Sequence, residues 1–246
     1  MSESDPHRRR ARGAFATTQW SLIIAAGNLE HPDAREALAA LCGAYWQPIY
    51  VYLRRHGADG ERARDLTQGF FTTLLEKNYI GDARRDRGRF RTFLLTTLKH
   101  YVANESDRDR AAKRGGGLSP ISFDVPVAEE TYRLEPSHDE TPERLFDRRW
   151  ARTLLDASLE RLHQEMAVSA GLKRFERLLP FLVGESDTGY REAAAAMGIG
   201  ESAVKVAVHR LRRRLRALLR DEVARTVGNP DQVDDELRHL FAALGP

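Results

Sequence analysis

Residues 190–220, YREAAAAMGIGESAVKVAVHRLRRRLRALLR, constrain the fold more than any other part of the chain. They read as a short helix, a tight turn and a longer helix. Ala193, Ala194 and Met197 give the first helix a small apolar face. Gly198-Ile199-Gly200 supplies the turn, because glycine accepts the positive φ that ends a helix. In the second helix Val204, Val208, Leu211, Leu215 and Leu218 recur at helical spacing, which makes one buried stripe. At about 100° per residue, Ser202, Val206, His209 and Arg213 point the opposite way, with Lys205 and Arg210 on the flanks. From Arg210 to Arg220 there are six arginines and no acid. A solvated basic face would account for the arginines alone. The small-residue helix and glycine turn directly before them favour a helix that enters a DNA major groove. Arg212, Arg214 and Arg216 lie nearer the buried stripe or the helix end and are expected to meet phosphates.

The whole chain sets looser bounds. Its 246 residues fit one large or two small domains, and 41% apolar residues suffice for real cores. Net charge is only +3, so the information lies in how charge is segregated. The single cysteine, Cys42, excludes an intramolecular disulfide and a cysteine-rich zinc site, and its alanine/leucine surroundings suit a small core residue. No apolar run reaches the roughly 18 residues of a membrane span. The arginine-bearing N-terminus lacks a signal-peptide core. A cytoplasmic, reducing setting without membrane contact is expected. A phosphate loop after a strand, His-Glu-x-x-His, paired cysteines and a nucleophile elbow are all missing, which favours a binding protein without cofactor over an enzyme.

The pattern predicts an all-α protein: two helical modules joined by a flexible acidic linker. Residues 1–14 are expected to be disordered, and 15–114 to form the first module. A short helix is predicted at 18–26 and another at 33–45. Gln47-Pro48 then starts or kinks a third, running to His56 and ending in Gly57, since proline breaks a helix interior. The next helix, 61–77, buries Leu66, Phe70 and Leu74. It carries a polar, mostly acidic stripe of Glu61, Asp65, Gln68, Thr72 and Glu76. A basic turn, 81–88, precedes a helix whose buried face is Phe90, Phe93, Leu94, Thr97, Leu98, Tyr101 and Val102. His100, Asn104 and Arg108 share another face, with Lys99 adjacent. That face reads either as a solvated polar stripe or as a surface for unpaired bases and phosphates.

Gly115-Gly116-Gly117 ends the first module. The linker, 115–142, is proline-rich, and the stretch from Asp124 to Glu143, just past its end, holds seven acids against one base, Arg133. Thr141-Pro142 then caps a helix from 143 to 166, followed by one at 172–182 and the opening motif, so that 143–222 forms the second module. Asn229-Pro230 caps a last helix in the extension 223–246, with Val233, Leu237, Leu240, Phe241 and Leu244 as its apolar face. Leu237, Leu240 and Phe241 would let it clasp the modules together.

In this order the segments AYWQPIYVYLRRHG, ERARDLTQGFFTTLLEKNY, RGRFRTFLLTTLKHYVANESDRDRAAKRGGG and YREAAAAMGIGESAVKVAVHRLRRRLRALL resemble the extracytoplasmic-function sigma factors, promoter-specificity subunits of bacterial RNA polymerase. The Thr-Thr-Gln-Trp opening, the Arg-Gly-Arg-Phe-Arg run and the ending DELRHLFAAL are similar to a branch common in planctomycetes and deltaproteobacteria. The resemblance implies promoter DNA and core RNA polymerase as partners, the latter through its β′ clamp helices and β flap. Asp65, Leu66 and Gln68 match the motif that docks on the clamp helices, with Glu61 extending its charge. The helix bearing His100 and Asn104 would read the −10 element as a single strand, with Arg87, Arg89, Lys99 and Arg108 meeting bases and phosphates around it. The basic loop at 84–89 would capture a flipped base. Ser202, Lys205, Val206, His209, Arg210 and Arg213 would recognise the −35 duplex. The acidic linker would thread the RNA path of the polymerase. His100 departs from the usual asparagine. Arg64 and Gly69 thin the acidity of the docking helix, which phosphorylation of Thr72 by a regulatory kinase would restore; an anti-sigma factor is the other implied regulator. The competing reading is a stand-alone helix-turn-helix regulator whose first module senses a signal or dimerises.

Overall fold

The computed structural model describes residues 34–76, 88–111, 132, 140–168, 171–184 and 189–245. The expectations for 1–14, for the helix at 18–26, for the loop carrying Arg87 and for nearly all of the linker lie outside the described residues. Among the described residues all regular structure is helical and no strand occurs, so the described architecture is all-α. None of these helices is long and apolar enough to cross a membrane. Two compact units are formed: residues up to Ala151 together with Arg225–Pro246, and Arg152–Ala224. The sequence pattern had placed 143–151 with the second module and 223–246 outside both.

The first unit contains α1 (Ala34–Arg55), α2 (Gly60–Glu76), α3 (Phe90–Ala111), the start of α4 (Pro142–Val168), and α8 (Val233–Leu244) after a 3-10 turn. No new helix starts at Gln47-Pro48: α1 runs through Pro48. A proline inside a helix costs roughly 3 kcal/mol. Here Tyr45, Ile49, Tyr50, Val51, Tyr52 and Leu53 are all buried, and burial of so many large side chains outweighs that cost. Tyr45 stacks on Trp150 at 4.3 Å, Phe146 stacks on the same indole at 5.9 Å, and Phe90 meets Tyr45 edge-on at 5.3 Å. The first residue of α3 is thus nailed into an aromatic core built by α1 and α4. Cys42 lies in the same core, where burial pushes its thiol up to about 12 and leaves it protonated.

Thr141 Oγ1 accepts the amide of Arg144 at 3.2 Å and starts α4 as its sequence predicts. Asn229 Oδ1 accepts from Asp231 N at 3.0 Å, so this cap serves the 3-10 turn Pro230–Gln232 rather than α8 directly. On α8 the apolar face is also corrected. Val233 and Leu240 are buried and Leu237 and Leu244 half-buried, but Phe241 is 56% exposed, and Glu236 is buried instead.

Helix α2 packs against both α1 and α3. Gly69 sits where α3 comes nearest: a Cβ there would collide with the Tyr101 hydroxyl. Its glycine therefore has a packing reason, separate from any thinning of surface charge. Gly69→Ala should destabilise the unit by about 1–3 kcal/mol through overpacking, although alanine is the better helix former. Urea unfolding of Gly69→Ala checks this, and adding Tyr101→Phe should recover part of the loss.

The second unit holds the rest of α4, then α5 (Leu172–Val183), α6 (Tyr190–Met197) and α7 (Glu201–Ala224). Leu178, Phe181, Ala194, Val204 and Val208 form one core cluster, and Leu162, Phe175 and Leu218 a second. Leu211 and Leu215, expected in the buried stripe, are half-buried and pack against these clusters. Gly198 ends α6 at φ +64°, and its amide returns to Ala195 O at 3.2 Å. Gly200 needs no left-handed backbone; its carbonyl accepts the amides of Ala203 and Val204 and starts α7.

Candidate functional site

Two surfaces, one on each unit, gather the residues that sequence spacing singled out. On the second unit α7 buries Val204, Val208 and Leu218, and the helical period turns Ser202, Lys205, Val206, His209, Arg210 and Arg213 to solvent. All six are exposed, Val206 at 49%. An exposed valine flanked by hydroxyl, imidazole and guanidinium groups matches the mixed apolar and hydrogen-bonding edge of a base pair. Lys205 Nζ lies 2.6 Å from Glu201 and 5.8 Å from the Tyr190 ring centre. The hydrogen bond from Lys205 holds the Glu201 carboxyl below its usual range, and the same bond raises Lys205. Both side chains are surface groups, so this pair is readily exchanged for another anion.

The flanking arginines divide. Arg212 donates to Phe181 O at 2.6 Å, and Arg214 grips Glu165 with two bonds of 2.8 and 2.6 Å. The bond from Arg214 lowers the Glu165 carboxyl. These two arginines fasten α7 to α5 and α4. Arg216 remains exposed. Arg161 likewise binds the buried Glu222 at 2.6 Å.

On the first unit, α2 and α3 enclose a groove of about 760 Å³. Its walls include Phe70, Thr73, Thr97, His100, Tyr101, Asn104 and Arg108. His100 and Asn104 are exposed at its rim, one helical turn apart, beside apolar and aromatic surface. Such a recess offers stacking and hydrogen-bonding groups to an unpaired base. Arg108 is drawn to Glu105 at 2.7 Å. Lys99 and Arg89 are not part of this groove. Lys99 pairs with Glu143 at 2.8 Å, a hydrogen bond that raises the lysine and lowers the glutamate. Arg89 pairs with Glu236 at 3.2 Å. Arg87 lies outside the described residues.

The expected acidic stripe on α2 is interrupted. Glu61 and Asp65 are exposed, but Gln68 is buried, as is Leu66. Because α2 is covered by both α1 and α3, its buried arc extends past Phe71 to Gln68. The Gln68 carbonyl accepts from the Thr72 hydroxyl at 3.0 Å, and Thr72 is half-buried. Sequence spacing thus places Glu61 and Asp65 on the surface correctly, but not Gln68. The partners it missed are carboxylates distant in sequence, Glu165, Glu222 and Glu236. A charged residue inside an apolar period, as Glu222 and Glu236 are, was the available signal.

Among the described residues no cluster of three His, Cys, Asp or Glu side chains could hold a metal. Comparisons of the chain with protein-family models, with curated proteins and with solved structures give no match.

Proposed function

We propose that this protein is a promoter-recognition factor of the extracytoplasmic-function sigma type, a non-enzymatic subunit that joins core RNA polymerase in the cytoplasm and directs strand opening at promoters. In this reading α6, the Gly198 turn and α7 are a helix-turn-helix. The observation that carries it is the row Ser202, Val206, His209 and Arg213, exposed opposite the buried Val204, Val208 and Leu218, with Arg210 exposed on its flank. A helix held by its apolar stripe and presenting a mixed polar and cationic row is the geometry of major-groove readout. The His100/Asn104 groove supports the second half of the reading. Its recess suits single-stranded rather than duplex DNA, so the two units would act on two promoter elements in different states. Glu61 and Asp65 are the exposed acids available to a basic clamp.

One experiment tests both surfaces. Core polymerase should be retained by the protein, and the complex should open promoter DNA in permanganate footprinting. Alanine at Lys205, His209 or Arg210 should weaken duplex binding by ~1–3 kcal/mol and relax preference at one base position. His100→Ala with Asn104→Ala should spare duplex binding and impair melting. Intact melting in that double variant overturns the −10 assignment. Tight binding to a two-fold operator with no retention of polymerase would establish the stand-alone regulator instead.

A further inference from the structure

Glu236 is completely buried, although it belongs to the acidic first turn of α8. A buried carboxylate survives only with strong partners, and it has two. Arg91 meets it with Nε at 2.9 Å and Nη2 at 3.4 Å, a two-point fork. Arg89 Nε approaches the second oxygen at 3.2 Å. The other arm of Arg91 reaches Asp147 at 2.5 Å, and Asp147 also takes His239 at 2.8 Å. Burial alone works against the charge on Arg91, but hydrogen bonding to Glu236 and the nearby Asp147 outweigh it and raise its pKa. The backbone joins in. The Phe90 amide donates to Thr226 O at 2.8 Å and the Gly228 amide to Gly88 O at 3.1 Å, so residues 226–228 lie along the entry to α3.

We propose that Arg89, Arg91 and the entry to α3 form a phosphodiester-binding site, which the C-terminal segment occupies with the Glu236 carboxylate in place of a phosphate. A carboxylate bridging two guanidinium groups, one through a fork, is the arrangement in which arginine also takes a phosphate. The positive end of the α3 dipole adds to the attraction. With Glu236 gone, two cations face the remaining Asp147, and one anionic charge is called for. Arg89 keeps 28% of its side chain exposed, so a phosphate can reach the site from its edge and displace the carboxylate. The segment is therefore a competitor: nucleic acid binds α3 fully only as residues 226–236 lift. The proposal rests on the nucleic-acid reading of α3, but not on which bases His100 and Asn104 meet.

The test uses the full chain and a labelled single-stranded DNA of mixed sequence. Glu236→Gln should bind it about tenfold tighter than wild type at low salt, with log K falling more steeply against log salt by about one. Arg89→Ala added to that variant should remove the gain. In wild type, hydrogen exchange at the Phe90 and Gly228 amides should accelerate when DNA saturates the protein. Equal affinity of Glu236→Gln and wild type overturns the proposal, as does failure of both to bind. Protection at Phe90 that persists with DNA bound overturns it too, and this arm holds even if Glu236→Gln fails to fold. If the affinity gain appears while His100→Ala with Asn104→Ala melts promoters normally, the base-reading assignment falls and the phosphate site stands. The reverse pair of results removes the phosphate site alone.

Discussion

Trp150→Ala should cost about 4 kcal/mol, the largest effect expected of any single truncation in the first unit. The indole is fully buried, stacked with Tyr45 and with Phe146 and tilted against Phe90 at 5.6 Å. Its removal opens a cavity at the point where α1, α3 and α4 meet, and α3 loses the anchor of its first residue. Urea unfolding followed by far-ultraviolet circular dichroism measures the cost as a fall in midpoint. Trp150→Phe should lose much less. It keeps most of the stack and deletes an indole N–H that has no acceptor among the described residues. A shift in Trp150→Ala no larger than in Trp150→Phe would contradict the packing described.

Arg91→Ala should be nearly as damaging, at about 3 kcal/mol. The cost arises from what is left behind rather than from the arginine itself. Among the described residues Glu236 then keeps Arg89 at its edge, and Asp147 keeps His239. Arg91→Met combined with Glu236→Leu should recover a large part of the loss, because removing both ends of a buried pair leaves less charge uncompensated. The comparison is made by the same unfolding measurement on both variants. A double variant as unstable as Arg91→Ala would mean that the pair is not the dominant partner of either charge.

The helices were legible because each buries one face, and a 3.6-residue period survives in the sequence wherever that is so. The turn at Gly198 and the cap at Thr141 follow from local backbone chemistry and were equally readable. Pro48 was not, because local propensity predicts a break and the aromatic core that overrides it is assembled from α3 and α4. The exposed row on α7 could be read from spacing alone. The fate of Arg212 and Arg214 could not: their partners, Phe181 O and Glu165, lie 31 and 49 residues away. Gln68 was misplaced for a related reason, since a stripe calculation assumes one covered face and α2 has two. The Arg91–Glu236 pair spans 145 residues, and a short-range pattern carries no trace of it beyond a charge in an apolar period.

The first unit is written in the chain in two pieces, with Arg152–Ala224 between them. A ribosome therefore delivers α1, α2 and α3 well before the segment that Arg91 requires. Until Glu236 emerges, Arg91 has Asp147 alone among the described residues, and the entry to α3 has no Thr226 carbonyl to receive the Phe90 amide. The usual order of synthesis, an N-terminal unit complete before the next begins, is closed to this protein. Its second unit draws on one continuous stretch and can close locally, whereas the first must wait for a contact of high sequence separation. A chain interrupted after the second unit would thus carry a finished α7 while the arginines at the entry to α3 stand open, and synthesis of Arg225–Pro246 is the step that shuts them.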